Sequence, residues 1–197
     1  MADAGPFVVA TRNAHKLREL REALPGVELE PLPDDVELPP EEAGTFAGNA
    51  LAKAHAAQAA TGLPAIADDS GIEARALGGR PGVRSARYAG EGATDEQNLA
   101  RLIAELSDER DRRVAYVCAL VLVAGEEQDV FEARCTGTLV DRPRGRGGFG
   151  YDPAFVPDET GEGDIRTMAE LAPQEKHAIS HRGKAARMLA AHLGVRA

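Results

Sequence analysis

Two adjacent carboxylates close a short apolar run, Ala65-Ile66-Ala67 leading into Asp68-Asp69-Ser70-Gly71. Ligands of open α/β sheets gather at the carboxyl ends of strands. Side chains alternate along a strand, so the two aspartates should face opposite ways. Asp69, beside Ser70 and Gly71, is the one expected on the functional face. A hard dication takes oxygen ligands, and Mg2+ keeps several waters while accepting one or two carboxylates and substrate phosphates. Asp69 with Glu41 or Glu42 meets that requirement. The same acids would also serve as turn caps and a solvated loop.

Three further groups could handle a polyanion. Thr11-Arg12-Asn13-Ala14-His15-Lys16 stands where a short apolar run gives way to a helical pattern, a place where backbone N–H groups and the helix dipole favour phosphate. Asn13 could equally be a plain helix cap there. Gly145-Arg146-Gly147-Gly148-Phe149-Gly150 contains G-x-G-x-x-G, but Tyr151-Asp152-Pro153 follows where a dinucleotide fold needs a helix, so a Rossmann reading is rejected. Its glycines suit close backbone approach to a ligand, with Phe149 or Tyr151 offering a ring face to a base and Asp152 an acceptor to its edge. Lys176, His177, Ser180, His181 and Arg182 form a donor-rich cluster. His177 and His181 have the spacing of H-E-x-x-H zinc enzymes, but Ala178 replaces the glutamate, so zinc proteolysis is not expected. Neither a G-x-x-x-x-G-K-[ST] phosphate loop nor a G-x-S-x-G elbow occurs.

The elements that must hold these residues follow from periodicity. Phe7 to Ala10 reads as a strand, Leu17, Leu20 and Leu24 as a helix face closed by Pro25-Gly26, and Val27 to Leu32 as a returning strand. Pro33 to Gly44 reads as an exposed acidic loop carrying Glu41 and Glu42. Thr45 to Thr61 is an Ala-rich helix stopped by Gly62. Ala65 to Ala67 enters a sheet, and Gly71 to Gly92 reads as a strand plus a long loop. Thr94 with Gln97 is a capping box for a helix over 95–106, Val114 to Ala124 and Val130 to Val140 form an antiparallel hairpin, and Thr167 with Glu170 opens a helical region running to Leu193, stopped by Gly194.

At 197 residues the chain suits one domain or two fused lobes and can bury about 70% of its unfolded surface. The net charge of -9 argues against a protein that coats nucleic acid or an anionic membrane, so any phosphate site must be locally basic. Met1 to Pro6 has no cationic start or apolar run, and no segment approaches a bilayer span; a cytoplasmic protein is expected. Cys118 and Cys135 lack C-x-x-C spacing, and two reduced, buried thiols are expected.

Taken in order, ATRNAHK (10–16), TFAGNALAKA (45–54), AIADDSG (65–71), LGGRPGVRSARYAG (77–90), GGFGYDP (147–153) and EKHAISHRGKA (175–185) resemble the inosine triphosphate pyrophosphatase (Ham1-like) family over nearly the whole chain. The resemblance implies a single α/β domain over 1–197, two-lobed around a central curved mixed β-sheet flanked by helices, with a cleft between the lobes and usually a homodimer. It implies Mg2+-dependent hydrolysis, with Mn2+ an alternative, of non-standard purine triphosphates (ITP, dITP, XTP) to the monophosphate and pyrophosphate. By motif matching, Thr11, Arg12, Asn13, Ala14, His15, Lys16 and Lys53 resemble triphosphate contacts, Asp69 the catalytic base and metal ligand, and Ser70 a substrate contact. Phe149, Gly150, Tyr151, Asp152, Lys176, His181 and Arg182 resemble base and phosphate contacts, with Glu41 ahead of Glu42 as second metal ligand. Arg12 stands where many relatives have Gly or Ser, and Gly48 where Glu is common. The alternatives are a Maf-like pyrophosphatase acting on pyrimidine triphosphates and a non-catalytic nucleotide sensor.

Overall fold

The computed structural model describes residues 5–195. Residues 1–4, which carry most of the amino-terminal reading, lie outside the described residues, as do 196–197. The elements run β1 (Phe7–Val9), α1 (Ala14–Ala23), β2 (Leu29–Pro31), α2 (Phe46–Thr61), β3 (Ala65–Ala74), α3 (Asp95–Glu105), β4 (Arg113–Ala124), β5 (Glu127–Leu139), β6 (Phe155–Pro157), α4 (Pro173–Ile179) and α5 (His181–Leu193). The six strands form one sheet in the order β2-β1-β3-β4-β5-β6. β1 pairs in parallel with β2 and β3, and β5 antiparallel with β6, so the sheet is mixed, as expected of the fold class. β4 and β5 are neighbours joined through Gly125 (φ 64) and Glu126, and a two-residue link joins antiparallel strands only.

The chain divides into two compact units. The first comprises Met1–Asp69, Cys118–Ala133 and Arg182–Ala197. Strand alternation builds its core on both faces of the sheet. Phe7, Val9 and Ile66 pack with Leu20 of α1 and Leu189 of α5. Val8, Ala65 and Ala67 pack with Ala50, Ala54 and Ala57 of α2, a helix face of small side chains that lets helix and sheet approach closely. Asn13 caps α1, its side chain accepting from the N–H groups of His15 and Lys16. Thr45 caps α2, and Gly62 ends it in the left-handed region at φ 71, where glycine bears no Cβ penalty. Leu20 is wholly buried, which contributes about 1.5–3 kcal/mol.

The second unit comprises Ser70–Val117 and Arg134–His181. Its core gathers Ile72, Leu99, Leu102, Leu139, Phe155 and Met168, and α3 opens on the expected Thr94–Gln97 capping box. Three expectations are corrected here. The strand entered at Ala65 continues to Ala74, and two short 3-10 turns, Arg75–Leu77 and Gly82–Arg87, occupy the stretch read as loop. The Thr167–Glu170 box opens only one 3-10 turn, Met168–Glu170. The helical region is then split: α4 begins on Pro173 and stops at Ser180, whose backbone is extended (φ -64, ψ 150). Serine competes for backbone hydrogen bonds and favours helix ends, a signal that periodicity alone passes over. β6 was not anticipated, being only three residues long.

Cys118 and Cys135 are both buried and not joined in a disulfide. Among the described residues no helix is long and apolar enough to cross a membrane.

Candidate active site

In the first unit the alternation of β3 sorts the two aspartates. Asp68 shares the face of Ile66 and meets α1 and α5; Asp69 shares the face of Ala65 and Ala67 and meets α2. Asp68 is 1% exposed and Arg182 2%. Arg182 Nε donates to Asp68 Oδ2 at 3.0 Å, the other side of the guanidinium is paired with Glu19, and Lys16 Nζ lies 2.5 Å from Asp68 Oδ1. The Cys118 thiol also donates to Asp68 Oδ2, at 3.1 Å. Burial works most strongly against the Asp68 charge, but the charges and hydrogen bonds of Arg182 and Lys16 hold its carboxyl well below the usual carboxylate range.

Asp69 has different company. Asn49 Nδ2 donates to Asp69 Oδ2 at 2.9 Å, while Asn49 Oδ1 accepts from Ala43 N–H at 2.9 Å, tying the acidic loop to the middle of β3. Lys53, four residues along α2 and so on the same helix face, places Nζ 2.8 Å from Glu41 Oε1, 3.0 Å from the Asp68 carbonyl and 3.6 Å from Asp69 Oδ1. Burial raises the Asp69 pKa and the Glu41 charge adds to it, outweighing Lys53, Lys16 and the Asn49 bond, so the net shift is upward. Burial lowers the Lys53 pKa, but Asp69, Glu41 and Asp68 reverse this and leave it raised, so the ammonium stays charged.

This arrangement holds a desolvated carboxylate with raised proton affinity beside a second carboxylate and two ammonium groups. Of the two candidate loop acids, Glu41 sits on Lys53 and Glu42 is exposed. Glu41 and Asp69 offer oxygens to one cationic position now met by Lys53, which fits a hard dication that takes its remaining ligands from water and phosphate. Among the described residues no group of three or more His, Cys, Asp or Glu side chains is arranged for a metal ion.

Around the start of α1, Thr11 Oγ1 accepts from Asn13 N–H at 3.1 Å, and Asn13 Oδ1 accepts from His15 and Lys16 at 2.9 and 3.3 Å. A phosphate arriving there would share these N–H groups with the cap. Ala14 is the first helical residue, and the His15 ring is joined to Arg18. Arg12 is turned to the acidic loop: its guanidinium donates to the carbonyls of Leu32 at 2.9 Å, Pro33 at 2.7 Å and Val36 at 2.5 Å. Its cation fastens the loop, which gives this departure from the family pattern a structural use.

The second unit holds the other group. Asp152, 3% exposed, accepts at Oδ2 from Lys176 Nζ at 2.7 Å and from Phe149 N–H at 3.0 Å. Phe149 is half-buried, with Lys176 Nζ 5.1 Å from its ring centroid. Tyr151 is buried in the core and donates its hydroxyl to the Ser85 carbonyl at 2.7 Å. Of the two rings read as possible base platforms, Phe149 is therefore the available one. Gly150 N–H donates to Asp95 at 2.7 Å. His181 is stacked on Tyr116, ring centroids 4.6 Å apart and planes 3° from parallel. Ser70 follows Asp69 on β3.

The loop before Asp152 admits no side chain at Gly148. Its φ is +71, and a Cβ there would lie 2.0 Å from Asp152 Oδ2. Gly148→Ala is expected to cost about 1–3 kcal/mol through overpacking, read as a lowered thermal midpoint; an unchanged midpoint would show that the loop does not clamp this carboxylate.

Sequence reasoning missed Asn49, Glu19 and Tyr116. Asn49 was the most accessible of these, since its i, i+4 relation to Lys53 is visible in NALAK. Glu19 and Tyr116 act through contacts distant in sequence, which no local pattern signals.

A mixed α/β sheet with paired carboxylates in the middle of β3, flanked by lysines and a capped helix start, defines a class of phosphate-handling fold. The sequence profile of the Ham1 family matches residues 7–192, and the chain belongs to that family, as its motifs implied. A Mycobacterium tuberculosis protein named dITP/XTP pyrophosphatase is 47% identical over 202 residues, spanning 96% of this chain and 95% of the relative. A Geobacter sulfurreducens protein of the same name is 48% identical over 196 residues, spanning 95% and 96%. The solved structure of a HAM1 protein from Coxiella burnetii matches with a TM-score of 0.86 at 39% identity, covering 96% of this chain and 98% of that one.

Proposed function

We propose that this chain hydrolyses the non-standard purine triphosphates ITP, dITP and XTP to the monophosphate and pyrophosphate, removing them from the cytoplasmic nucleotide pool. The observation that carries this reading is the convergence of Glu41 and Asp69 on Lys53 Nζ, with Asp69 desolvated and raised in pKa, in a chain so similar to proteins named dITP/XTP pyrophosphatase. Glu41 and Asp69 would hold Mg2+, or Mn2+ in its place. Bound there, the ion supplies charge neutralisation and polarisation of a phosphoryl oxygen.

The remaining work falls to the chain's own groups. Lys16, Lys53 and the Thr11–Lys16 turn offset triphosphate charge. Asp69 takes or orients the proton of the attacking water, a role served by its raised proton affinity. Ser70 contacts the substrate. Phe149 and Gly150 offer a ring face and a close backbone, Asp152 reads a donor on the base edge with Lys176 holding it, and Tyr151 fixes the loop. His181 donates to the 6-oxo group that hypoxanthine and xanthine carry and adenine lacks. An unpaired buried group costs about 1–3 kcal/mol, or roughly 5- to 150-fold in selection against ATP. Arg182, paired with Asp68 and Glu19, keeps Asp68 charged and adds a cation to the substrate contacts. The two units act as lobes of one domain, and the working form is a homodimer.

Pyrophosphate release from ITP, measured with and without Mg2+, tests the reading. Release of inosine monophosphate and pyrophosphate only with the metal is expected. Orthophosphate as the product, or equal rates on ITP and ATP, would refute it, and preference for pyrimidine triphosphates would favour the Maf-like alternative.

A further inference from the structure

Two carboxylates hold one dication well only if the segments that carry them keep a fixed separation. Asp69 lies in the middle of β3, whereas the half-buried Glu41 lies on the loop before α2, and loops are the more mobile elements of a fold. The ion pair with Lys53 is a weak anchor for that loop, because a dication competing for the same oxygens would loosen it. A tie that does not depend on charge is needed.

Asn49 supplies one. It stands one turn into α2, is 2% exposed, and has both ends of its amide engaged. Oδ1 accepts from the N–H of Ala43, two residues after Glu41, at 2.9 Å, and Nδ2 donates to Asp69 Oδ2 at 2.9 Å. The first bond holds the loop by its backbone. The second takes up Oδ2, so that Oδ1 is the oxygen on the side of Lys53 Nζ, 3.6 Å away, where Glu41 Oε1 also lies. A planar amide accepts with one atom and donates with the other, so a single side chain gauges the gap between loop and strand.

Gly48 is an independent sign that the loop is seated at this point. A Cβ there would lie 2.8 Å from Ala43 Cβ and 3.0 Å from Thr45 Oγ1, well inside the separation at which non-bonded carbons rest. The loop therefore presses on α2 beside the residue that Asn49 grips. Glycine within a helix is unfavourable relative to alanine, and helix propensity gives no reason for it here, whereas the close approach of Ala43 does.

We propose, resting on the reading of Glu41 and Asp69 as the carboxylates that hold the metal, that Asn49 is a positioning residue for metal binding: it fixes the separation of the two acids and turns Asp69 Oδ1 toward Glu41, and Gly48 lets the loop come close enough to be held. Groups that orient metal-holding carboxylates typically contribute about 10- to 100-fold in metal affinity.

The test is Mn2+ binding to the protein alone, without nucleotide, followed by loss of the free-ion electron paramagnetic resonance signal in wild type, Asp69→Asn, Asn49→Ala and Gly48→Ala. Asn49→Ala is expected to raise the Kd by about 10-fold or more. Gly48→Ala, which keeps the amide but displaces Ala43, should raise it in the same direction by less. In ITP hydrolysis the Mg2+ concentration for half-maximal rate should rise in parallel, with saturating Mg2+ restoring most of the rate. A merely structural role would lower the rate at every Mg2+ concentration and leave the half-saturation point where it was. If Asp69→Asn abolishes Mn2+ binding while Asn49→Ala binds as tightly as wild type, the Asn49 role is overturned and the metal reading stands. If wild type binds Mn2+ no better than Asp69→Asn, the reading of the two carboxylates falls and the proposal with it. Should Asn49→Ala fail to fold, Gly48→Ala decides alone, and a wild-type Kd in that variant overturns the proposal.

Discussion

Turnover of ITP by an Asp69→Asn variant should fall by two orders of magnitude or more, since a positioned general base typically contributes about 10²–10⁴. The side chain keeps its size and can still bond Asn49, so circular dichroism should be unchanged. Asp69 is held in an unfavourable setting: burial and the Glu41 charge lift its proton affinity against the pull of two lysines. A carboxylate lifted in this way adds stability only below its unfolded pKa, and that contribution is lost as pH rises through the folded value. At neutral pH its ionised form is thus a cost to the fold, which function explains and packing does not. Steady-state rates on ITP at saturating Mg2+ are the measurement, and near-normal turnover would remove Asp69 from the role of base.

Asp68→Asn should act in the opposite sense, chiefly on stability. It leaves Arg182, 2% exposed, with Glu19 alone and strips Lys16 of its nearest anion. Removing one partner of a buried ion pair costs about 3–5 kcal/mol, which urea denaturation would report as a lowered midpoint at unchanged slope. The pH dependence follows from the depressed Asp68 pKa. Its stabilisation is full above the unfolded carboxyl value of 3.8 and fades as pH falls through the lower folded value. Wild type should therefore lose stability on acidification below that value, and the variant should lack this component. A variant as stable as wild type would mean that Arg182 and Lys16 find other anions.

The two substitutions show what was legible in the sequence and why. Period-2 alternation placed Asp68 and Asp69 on opposite faces from the strand pattern alone, and caps at Asn13, Thr45 and Thr94 were readable because capping is local chemistry. The use of each face was not readable. That Asp68 meets Arg182, 114 positions away, depends on how α5 packs against the sheet, so the buried ion pair of a guanidinium read as a substrate donor carried no local signal. The contacts of Arg12 were hidden for a similar reason, its targets being carbonyl oxygens of residues 32–36, which carry no sequence signal. The split between α4 and α5 was obscured because helical residue types continue through Ser180 and only the backbone turns.

Counting along β3 decides which aspartate becomes a permanent anion and which a desolvated carboxylate of raised proton affinity. The residues are chemically identical, and parity alone assigns their duties. Losing one alanine from Ala65–Ala67 would leave a carboxylate facing Arg182, but it would bring the serine hydroxyl opposite Asn49 and Lys53 and drive the other acid into the alanine-lined interior. The length of that short run is therefore as much an ingredient of the chemistry as the acids it precedes.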